Sequence, residues 1–325
     1  MYKIIVTLLL ALVLIQCGQS PDSVLTPTMN QAPTAPDLPA PEGIVAAGAE
    51  WETLAQGYVY SEGPAADADG NVYYAEVTLN HLYKVDAAGK VVLVDEDTAM
   101  TMGLVMGADG FIYACRNHDA QIVRYINDGQ FEVLLQGEIT PLPDQPNAPG
   151  EFCNDLAINA AGGIWFTDRI NRHVMYLDTD GGVRPVAEGF RPNGIVLSAD
   201  RQTLVVTDSI EPRLHAFSVG ERGNLNEMPD FFDPIMTVRK IGEENIAPGR
   251  PGTDGMTVDD SGRYYVASFY GIQIFERDGS YLGVIKVPKG FVSNLTFGGP
   301  GYGWLYATGR NGFYRLKMQV QGIGW

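Results

Sequence analysis

One short pattern of apolar and polar residues recurs along the chain from about residue 60 onward. In each copy a short apolar segment leads into a polar turn, and a run of aromatic or β-branched residues follows. The turns of the six copies lie at Asp69-Gly70, Asp109-Gly110, Gly162-Gly163, Asp200-Arg201, Ser261-Gly262 and Tyr302-Gly303. Residues 44–325 therefore divide into six units of about 47 residues each.

Each unit also contains further strand-like runs, such as residues 82–85 and 91–94 in the first. Four short strands in a unit of this length are typical of one β-propeller blade, and blades pack face to face around a central channel. The last unit shows only three runs, so we expect residues 50–54 to add its fourth strand and cover an open edge. The pattern predicts an all-β, six-bladed β-propeller with four-stranded blades over residues 44–325.

The first 43 residues do not share this pattern. Residues 1–16 begin with a basic start and continue as an apolar stretch too short for a mature membrane span, which predicts a signal peptide. Leu14-Ile15-Gln16-Cys17 resembles a bacterial lipoprotein box in which Cys17 is lipidated; the alternative is a plain signal peptide with Cys17 incidental. Residues 17–43, rich in Pro, Thr and Ser, predict a disordered tether. We therefore expect an exported protein, periplasmic or at the cell surface, that contacts a membrane only through this anchor.

The charge and the cysteine content narrow the range of partners. Lys and Arg number 22 against 39 Asp and Glu, a net charge of −17. Because nucleic-acid binding requires a basic face, we expect no nucleic-acid partner, but a monomer with a small-molecule substrate. Three cysteines are too few for a disulfide scaffold. Cys115 and Cys153 lie near the mouths of neighbouring blades, where either a disulfide or two separate thiols would be consistent with the sequence.

One position, eight or nine residues before each turn, carries an oxygen donor in five of the six copies. The six residues at this position are Glu62, Met102, Asn154, Asn193, Asp254 and Asn294. Equivalent positions on innermost strands form a ring around the propeller axis, and we call these residues the ring. Carboxylate and amide oxygens suit a hard cation such as calcium, and the lack of His or Cys argues against zinc or copper. The alternative is that they belong only to turns and strand starts, where Asn and Asp are common.

The motifs around these positions are specific in combination, because they occur in order and at blade spacing. They are Ser61-Glu62-Gly63-Pro64, Cys153-Asn154-Asp155-Leu156, Arg191-Pro192-Asn193-Gly194, Thr253-Asp254-Gly255-Met256 and Asn294-Leu295-Thr296-Phe297. In these motifs the chain resembles the SMP-30/gluconolactonase family of six-bladed propellers, which includes diisopropyl fluorophosphatase-like enzymes. The resemblance implies a divalent metal, usually calcium, held by Glu62, Asn154, Asn193 and Asp254. It also implies hydrolysis of lactones or of related esters and phosphoesters.

The chain departs from the family at positions expected to face the substrate. Phe152 stands where sugar-lactone members tend to carry an arginine, and Met102 stands where blade two often has an asparagine. Both changes predict a less basic, more apolar pocket. Arg116 and His118 follow a strand that returns to the same face, so either could orient substrate; the alternative is a solvated or salt-bridged loop residue. With Asn294, these residues form the predicted substrate-binding set.

The resulting functional hypothesis is a metal-dependent hydrolase acting on a lactone or related ester, with the metal as Lewis acid. Asp254 is the predicted general base or nucleophile, while Glu62 is mainly a ligand beside it. Two alternatives remain open at this point. One is a phosphotriesterase-like hydrolase, and the other is a non-catalytic propeller that binds a ligand or a protein and is stabilised by calcium.

Overall fold

Short antiparallel strands account for almost all regular structure in the computed structural model, which describes residues 40–127, 129–143, 150–237, 251–287 and 291–324. Strand β1 (Glu52–Gln56) precedes the first blade. Blade 1 contains β2 (Ser61–Ala66), β3 (Val72–Glu76), β4 (His81–Val85) and β5 (Val91–Asp95). Blade 2 contains β6 (Thr101–Met106), β7 (Ile112–Arg116), β8 (Gln121–Asn127) and β9 (Gln130–Gln136). Blade 3 contains β10 (Leu156–Ile158), β11 (Ile164–Asp168), β12 (His173–Leu177) and β13 (Val183–Glu188).

The second half of the chain repeats this order. Blade 4 contains β14 (Pro192–Leu197), β15 (Thr203–Asp208), β16 (Leu214–Val219) and β17 (Leu225–Glu227). Blade 5 contains β18 (Met256–Val258), β19 (Tyr264–Ser268), β20 (Gly271–Phe275) and β21 (Tyr281–Ile285). Blade 6 contains β22 (Val292–Gly298), β23 (Trp304–Gly309) and β24 (Gly312–Lys317). Two single-turn 3₁₀ helices occupy Glu221–Gly223 and Pro300–Tyr302.

The ring of blades is closed by the N-terminal strand. In sheet order blade 6 reads β1-β24-β23-β22, and β1 pairs antiparallel to β24 with Glu52 opposite Arg315. The strand predicted to complete the last blade therefore does so, and the prediction of a six-bladed propeller with four-stranded blades is confirmed. This closure pairs an edge that a three-stranded blade would leave open.

Apolar side chains fill the spaces between neighbouring blades. Trp165 of blade 3 is fully buried and belongs to one cluster with Ile195 and Leu204 of blade 4. Its indole Nε1 donates to the carbonyl oxygen of Gly223 at 2.9 Å, so the one polar atom of this side chain is satisfied. Blade-to-blade packing of this kind fixes where each innermost strand lies around the channel.

Glycines directly after ring residues let the innermost strands approach one another. At Gly63, where φ is +54°, a Cβ atom would lie 2.1 Å from the carbonyl oxygen of Met102. At Gly194 it would lie 2.2 Å from the carbonyl oxygen of Asp254. Any side chain at either position would push the neighbouring strand outward, so these glycines keep the channel narrow.

The predicted signal peptide, Cys17 and most of the predicted tether lie outside the described residues. Packing against the propeller is already present at residue 40, since Ala40 contacts the core cluster of blades 5 and 6. Pro41 lies against Gly283 of β21. In the described part of the chain, no helix has the length and apolar character needed to cross a membrane.

Candidate metal centre and active site

The ring residues lie where the innermost strands begin and their pairing is irregular. The register of β2 shifts between Glu62 and Ala65, and that of β14 shifts between Pro192 and Ile195. Equivalent shifts in β6 and β22 flank Met102 and Asn294, and Asn154 and Asp254 come two residues before β10 and β18. A bulge releases a residue from regular pairing and re-aims its side chain. Four ring residues thus lie at irregular strand starts, and the other two lie just before the strands of their blades.

Two ring carboxylates from different blades meet at one tyrosine. The hydroxyl of Tyr60 donates to Glu62 Oε1 at 2.7 Å and lies 3.4 Å from Asp254 Oδ2. Both carboxylates are buried, with Glu62 5% and Asp254 7% exposed. Burial raises the pKa of Glu62 to about 7. Burial, and next the charge of Glu62, raise the pKa of Asp254 well above its usual range. Additional positive charge at this point would favour the ionised forms of both carboxyls.

A third ring position presents an unsatisfied oxygen. Asn193 Oδ1 is buried and has no hydrogen-bond partner among the described residues, while its Nδ2 lies 3.5 Å from the carbonyl oxygen of Thr253. Leaving a buried acceptor unpaired costs about 1–3 kcal/mol. Asn154 Nδ2 donates to Met102 Sδ at 3.5 Å, so the amide oxygen of Asn154 is the atom that could coordinate a cation.

This donor set fits a hard divalent cation. Two carboxylates and amide oxygens match the oxygen ligands that calcium prefers. In the part of the chain that the structure describes, no three His, Cys, Asp or Glu side chains form a group that could hold a metal. Such a centre would therefore depend on the asparagine oxygens together with the carboxylates of Glu62 and Asp254.

Two threonines on second strands hold the ring together. Thr167 Oγ1 accepts from the Asp155 backbone N–H at 3.0 Å and donates to the carbonyl oxygen of Asn193 in the next blade at 2.7 Å. Thr207 Oγ1 accepts from Gly194 N–H at 2.8 Å and donates to the carbonyl oxygen of Asp254 in blade 5 at 3.0 Å. Each threonine thus fixes one ring position relative to the next. The sequence contained a signal for them, a Thr-Asp pair that ends the second strand of blades 3 and 4.

At the equivalent position of blade 2 the link is covalent. Cys115, the penultimate residue of β7, forms a disulfide with Cys153, which directly precedes Asn154. Both cysteines are fully buried. Asn117 reinforces the link, since its Oδ1 accepts from Phe152 N–H at 2.9 Å and its Nδ2 donates to the carbonyl oxygen of Cys153 at 2.8 Å. Of the two alternatives that the sequence left open, the structure contains the disulfide.

The mouth also contains a cation that sequence reasoning missed. Arg169 follows β11 and forms a two-point ion pair with Glu151, with Nε 2.9 Å from Oε2 and Nη2 on Oε1. Glu151 is 6% exposed. The positive charge of Arg169 opposes the burial that raises the pKa values of Asp254 and Tyr60. The expectation of a less basic pocket stays a prediction, and Arg169 is a cation on blade 3 that it did not take into account.

Two residues of the predicted substrate-binding set, Arg116 and His118, differ in their surroundings. Arg116 is buried, donates to the carbonyl oxygen of Asp97 at 2.8 Å, pairs with Asp119 at 2.9 Å and lies over the ring of Phe131. These partners favour the salt-bridged alternative for Arg116. His118 is exposed on the following loop, where its backbone N–H donates to the carbonyl oxygen of Ala99.

Phe152 and Asn294 differ in their surroundings. The ring of Phe152 packs on Phe166, at 5.7 Å between centroids, and against Gly137, so it fills the space between blades 2 and 3. Asn294 Nδ2 lies 3.4 Å from Asp155 Oδ2, and its Oδ1 accepts from Leu295 N–H at 2.8 Å. Two members of the predicted substrate set contact predicted metal ligands: Met102 contacts Asn154, as described above, and the side chain of Asn294 hydrogen-bonds Glu62.

Beyond the ring, mostly apolar side chains line the channel. A cavity of about 150 Å³ is lined by residues of all six innermost strands and by Ile323 and Gly324 near the C-terminus. Asp155 lines this cavity from the ring side, and burial raises the pKa of its carboxyl to about 6. Asp155 and Asn294 contribute polar groups to the lining near the ring, and Arg201 contributes one from the turn of blade 4.

The fold and the donor set together define a six-bladed propeller with a candidate divalent-cation centre at the mouth of its channel. Residues 60–311 match the family model described as SMP-30/Gluconolactonase/LRE-like region. The chain therefore belongs to this family, as its motifs indicated.

Characterised proteins and solved structures agree with this assignment. The chain is 25% identical over 260 residues to pentonolactonase XacC from Haloferax volcanii, covering 77% of this chain and 81% of that protein. A gluconolactonase from Xanthomonas campestris superposes with a TM-score of 0.68 at 25% identity, covering 90% of this chain and 99% of the other. Regucalcin from Agrobacterium tumefaciens, described as a calcium-binding protein, gives a TM-score of 0.66 at 18% identity, with 85% and 96% covered. The last similarity establishes the fold alone.

Proposed function

We propose that this protein is a lactone hydrolase that uses a divalent cation, with calcium the favoured ion, at Glu62, Asn154, Asn193 and Asp254. The similarity to a pentonolactonase and a gluconolactonase supports a lactone-hydrolysing enzyme. One observation carries the proposal to this site. The ring holds two buried carboxylates on one tyrosine and a buried amide oxygen that lacks a hydrogen-bond partner among the described residues.

A divalent cation bound there would polarise the lactone carbonyl and stabilise negative charge on its oxygen. Asp254 is the candidate general base or nucleophile, because the Tyr60 hydroxyl engages Glu62 closely at 2.7 Å but lies 3.4 Å from Asp254, which leaves the Asp254 carboxylate less constrained. Tyr60 holds Glu62 through its hydroxyl and so orients that carboxylate as a ligand. Glu151 occupies Nε and Nη2 of Arg169, so the Nη1 hydrogens are the ones we assign to a substrate oxygen.

The direct test is a hydrolysis screen over aliphatic lactones, aldonolactones, aryl esters and phosphotriesters. We expect lactone hydrolysis that a chelator abolishes and calcium restores. Glu62→Gln should lower the affinity for calcium, so that activity requires a higher calcium concentration. Glu188→Gln, at an exposed carboxylate on an outer strand, is the matched control for loss of one charge. Hydrolysis of phosphotriesters alone would favour the phosphotriesterase alternative. No hydrolysis in the presence of calcium would favour a non-catalytic binding propeller.

We also propose that the protein acts outside the cytoplasm, held by a lipid on Cys17. The support is the apolar N-terminal segment, the lipoprotein-like box and the Pro-rich residues that follow. Cys17→Ala should move the protein from the membrane fraction to the soluble exported fraction. An unchanged distribution would leave a plain signal peptide as the better interpretation.

A further inference from the structure

Two phenylalanines pack together where blades 5 and 6 open at the mouth. Phe269 directly follows β19, and Phe291 directly precedes β22. Their rings meet edge to face at 5.2 Å between centroids. Phe269 remains 46% exposed despite this contact. The pair therefore presents apolar aromatic surface to solvent on the face of the propeller that carries the ring.

The aromatic pair lies beside two ring positions. Phe269 packs on Gly252, where a Cβ atom would lie 2.3 Å from the phenylalanine ring. The backbone N–H of Phe269 also donates to the carbonyl oxygen of Pro251 at 3.3 Å. Gly252 precedes Asp254 by two residues, and Phe291 precedes Asn294 by three. The exposed aromatic surface is thus continuous with the segment that delivers the candidate catalytic carboxylate.

Blade 3 offers the opposite chemistry at the same mouth. There Arg169, which directly follows β11, forms its ion pair with Glu151. The mouth therefore has a charged side on blade 3, which suits the oxygens of a lactone, and an aromatic side on blades 5 and 6, which does not. Ligand sites commonly combine apolar walls with a few polar groups that fix orientation.

We propose that Phe269 and Phe291 form an apolar subsite for an alkyl or aryl substituent on the lactone. The proposal rests on the lactone hydrolase function and specifies the substrate class. With the lactone carbonyl placed at the ring residues of the channel mouth, a substituent on the lactone carbon that bears the ester oxygen extends onto the aromatic pair. An aldonolactone would place hydroxyl groups there, and burying a hydroxyl without a hydrogen-bond partner is unfavourable.

The test compares γ-butyrolactone, its hexyl-substituted form γ-decalactone, and gluconolactone. We expect wild type to show kcat/KM at least about tenfold higher for γ-decalactone than for γ-butyrolactone, as apolar groups in a pocket allow. Phe269→Ala should remove about tenfold of the activity on γ-decalactone and leave γ-butyrolactone within about twofold. Phe269→Leu should retain the preference. Val133→Ala, at a residue 47% exposed on β9, is the control for losing apolar surface elsewhere.

Binding of two lactams, 2-pyrrolidinone and its 5-hexyl derivative, separates this proposal from the function on which it rests. Lactone hydrolysis without a hexyl preference, equal losses on both lactones in Phe269→Ala, or a preference for gluconolactone would overturn the subsite alone. Hexyl-dependent lactam binding that Phe269→Ala removes, without hydrolysis of any lactone, would overturn the hydrolase and retain the subsite. If wild type neither hydrolyses a lactone nor prefers the hexyl lactam, both are overturned.

Discussion

The two ends of the central channel are built from the same six innermost strands but carry opposite chemistry. At the mouth, the strand starts contribute Glu62, Asn193 and Asp254, all buried and polar. Further along, the same strands contribute residues such as Leu197 and Leu295 to an apolar cavity. The difference shows that polar chemistry is accommodated where the strands are irregular, because regular pairing behind them places apolar residues inward.

The boundary between the two ends is itself polar. Asp155 and Asn294 line the cavity and contact each other, while Thr167 and Thr207 tie neighbouring ring positions together just above them. We infer that the mouth carries function and the opposite end carries stability. Five predictions test that division.

The largest effect is expected at Asp254. Asp254→Asn keeps an oxygen ligand but removes the reactive carboxylate, so kcat should fall by about 10²–10⁴-fold. The melting temperature should stay close to that of wild type, or rise, because the change also removes a carboxylate buried near Glu62. Steady-state kinetics and thermal unfolding measure the two quantities. Full activity with normal calcium binding would exclude the proposed role of Asp254.

At the opposite end of the channel, a substitution should lower stability and leave kcat unchanged. Leu197→Ala removes a side chain that lines the cavity and packs with Trp165, which should cost about 2–5 kcal/mol of unfolding free energy. The kcat of the folded variant should match wild type, as measured below its denaturation midpoint. A loss of kcat comparable to that in Asp254→Asn would show that the two ends are not separable.

The disulfide links the ring to blade 2. Replacing Cys115 and Cys153 together by alanine should cost about 2–4 kcal/mol of stability, as expected for a bridge across 38 residues. Because Cys153 adjoins Asn154, calcium affinity should also fall. Denaturant unfolding and calcium titration, both in a Cys17→Ala background, measure these effects. Unchanged calcium affinity would mean that Asn117 and the backbone suffice to position Asn154.

Removing the cation should lower stability through mass action. A ligand present at a hundredfold excess over its dissociation constant stabilises the folded state by about 2.7 kcal/mol. Chelation should therefore lower the melting temperature of wild type. Glu62→Gln should respond less, since it has fewer charges to bind calcium and less carboxylate repulsion without it. Identical melting curves with calcium and with chelator would contradict a tight site.

The smallest effect is expected on the charged side of the mouth. Arg169→Lys keeps a positive charge but loses the two-point geometry with Glu151 and the Nη1 donors. We expect kcat/KM to fall about tenfold, mainly through KM, as for loss of one charged hydrogen bond to substrate. Arg184→Lys, on an outer strand, is the control for the same substitution elsewhere. Equal kinetics for Arg169→Lys and wild type would remove Arg169 from substrate orientation.

Much of this architecture was readable in the sequence. The repeat fixed the number of blades, and its missing last strand pointed to closure by an N-terminal segment, which β1 provides. A constant offset from each turn selected the ring, because a repeated unit places equivalent residues at equivalent depth around the axis. Glu62 and Asp254 meet at Tyr60 for this reason, although 192 positions separate the two carboxylates in the sequence.

The residues that the sequence misassigned or missed depend on contacts between blades. Arg116 lies at the predicted end of its strand, but Asp97, Asp119 and Phe131 engage its side chain there. Tyr60 and Arg169 stand at positions that recur from blade to blade, but other blades carry different residues there, such as Phe152 and Phe269. Only the packing of blades brings the Tyr60 hydroxyl to Asp254. Periodicity determines the depth of a residue along a strand. Which side chains meet across the channel, and which are paired away from it, is decided by the loops and partners that differ from one blade to the next.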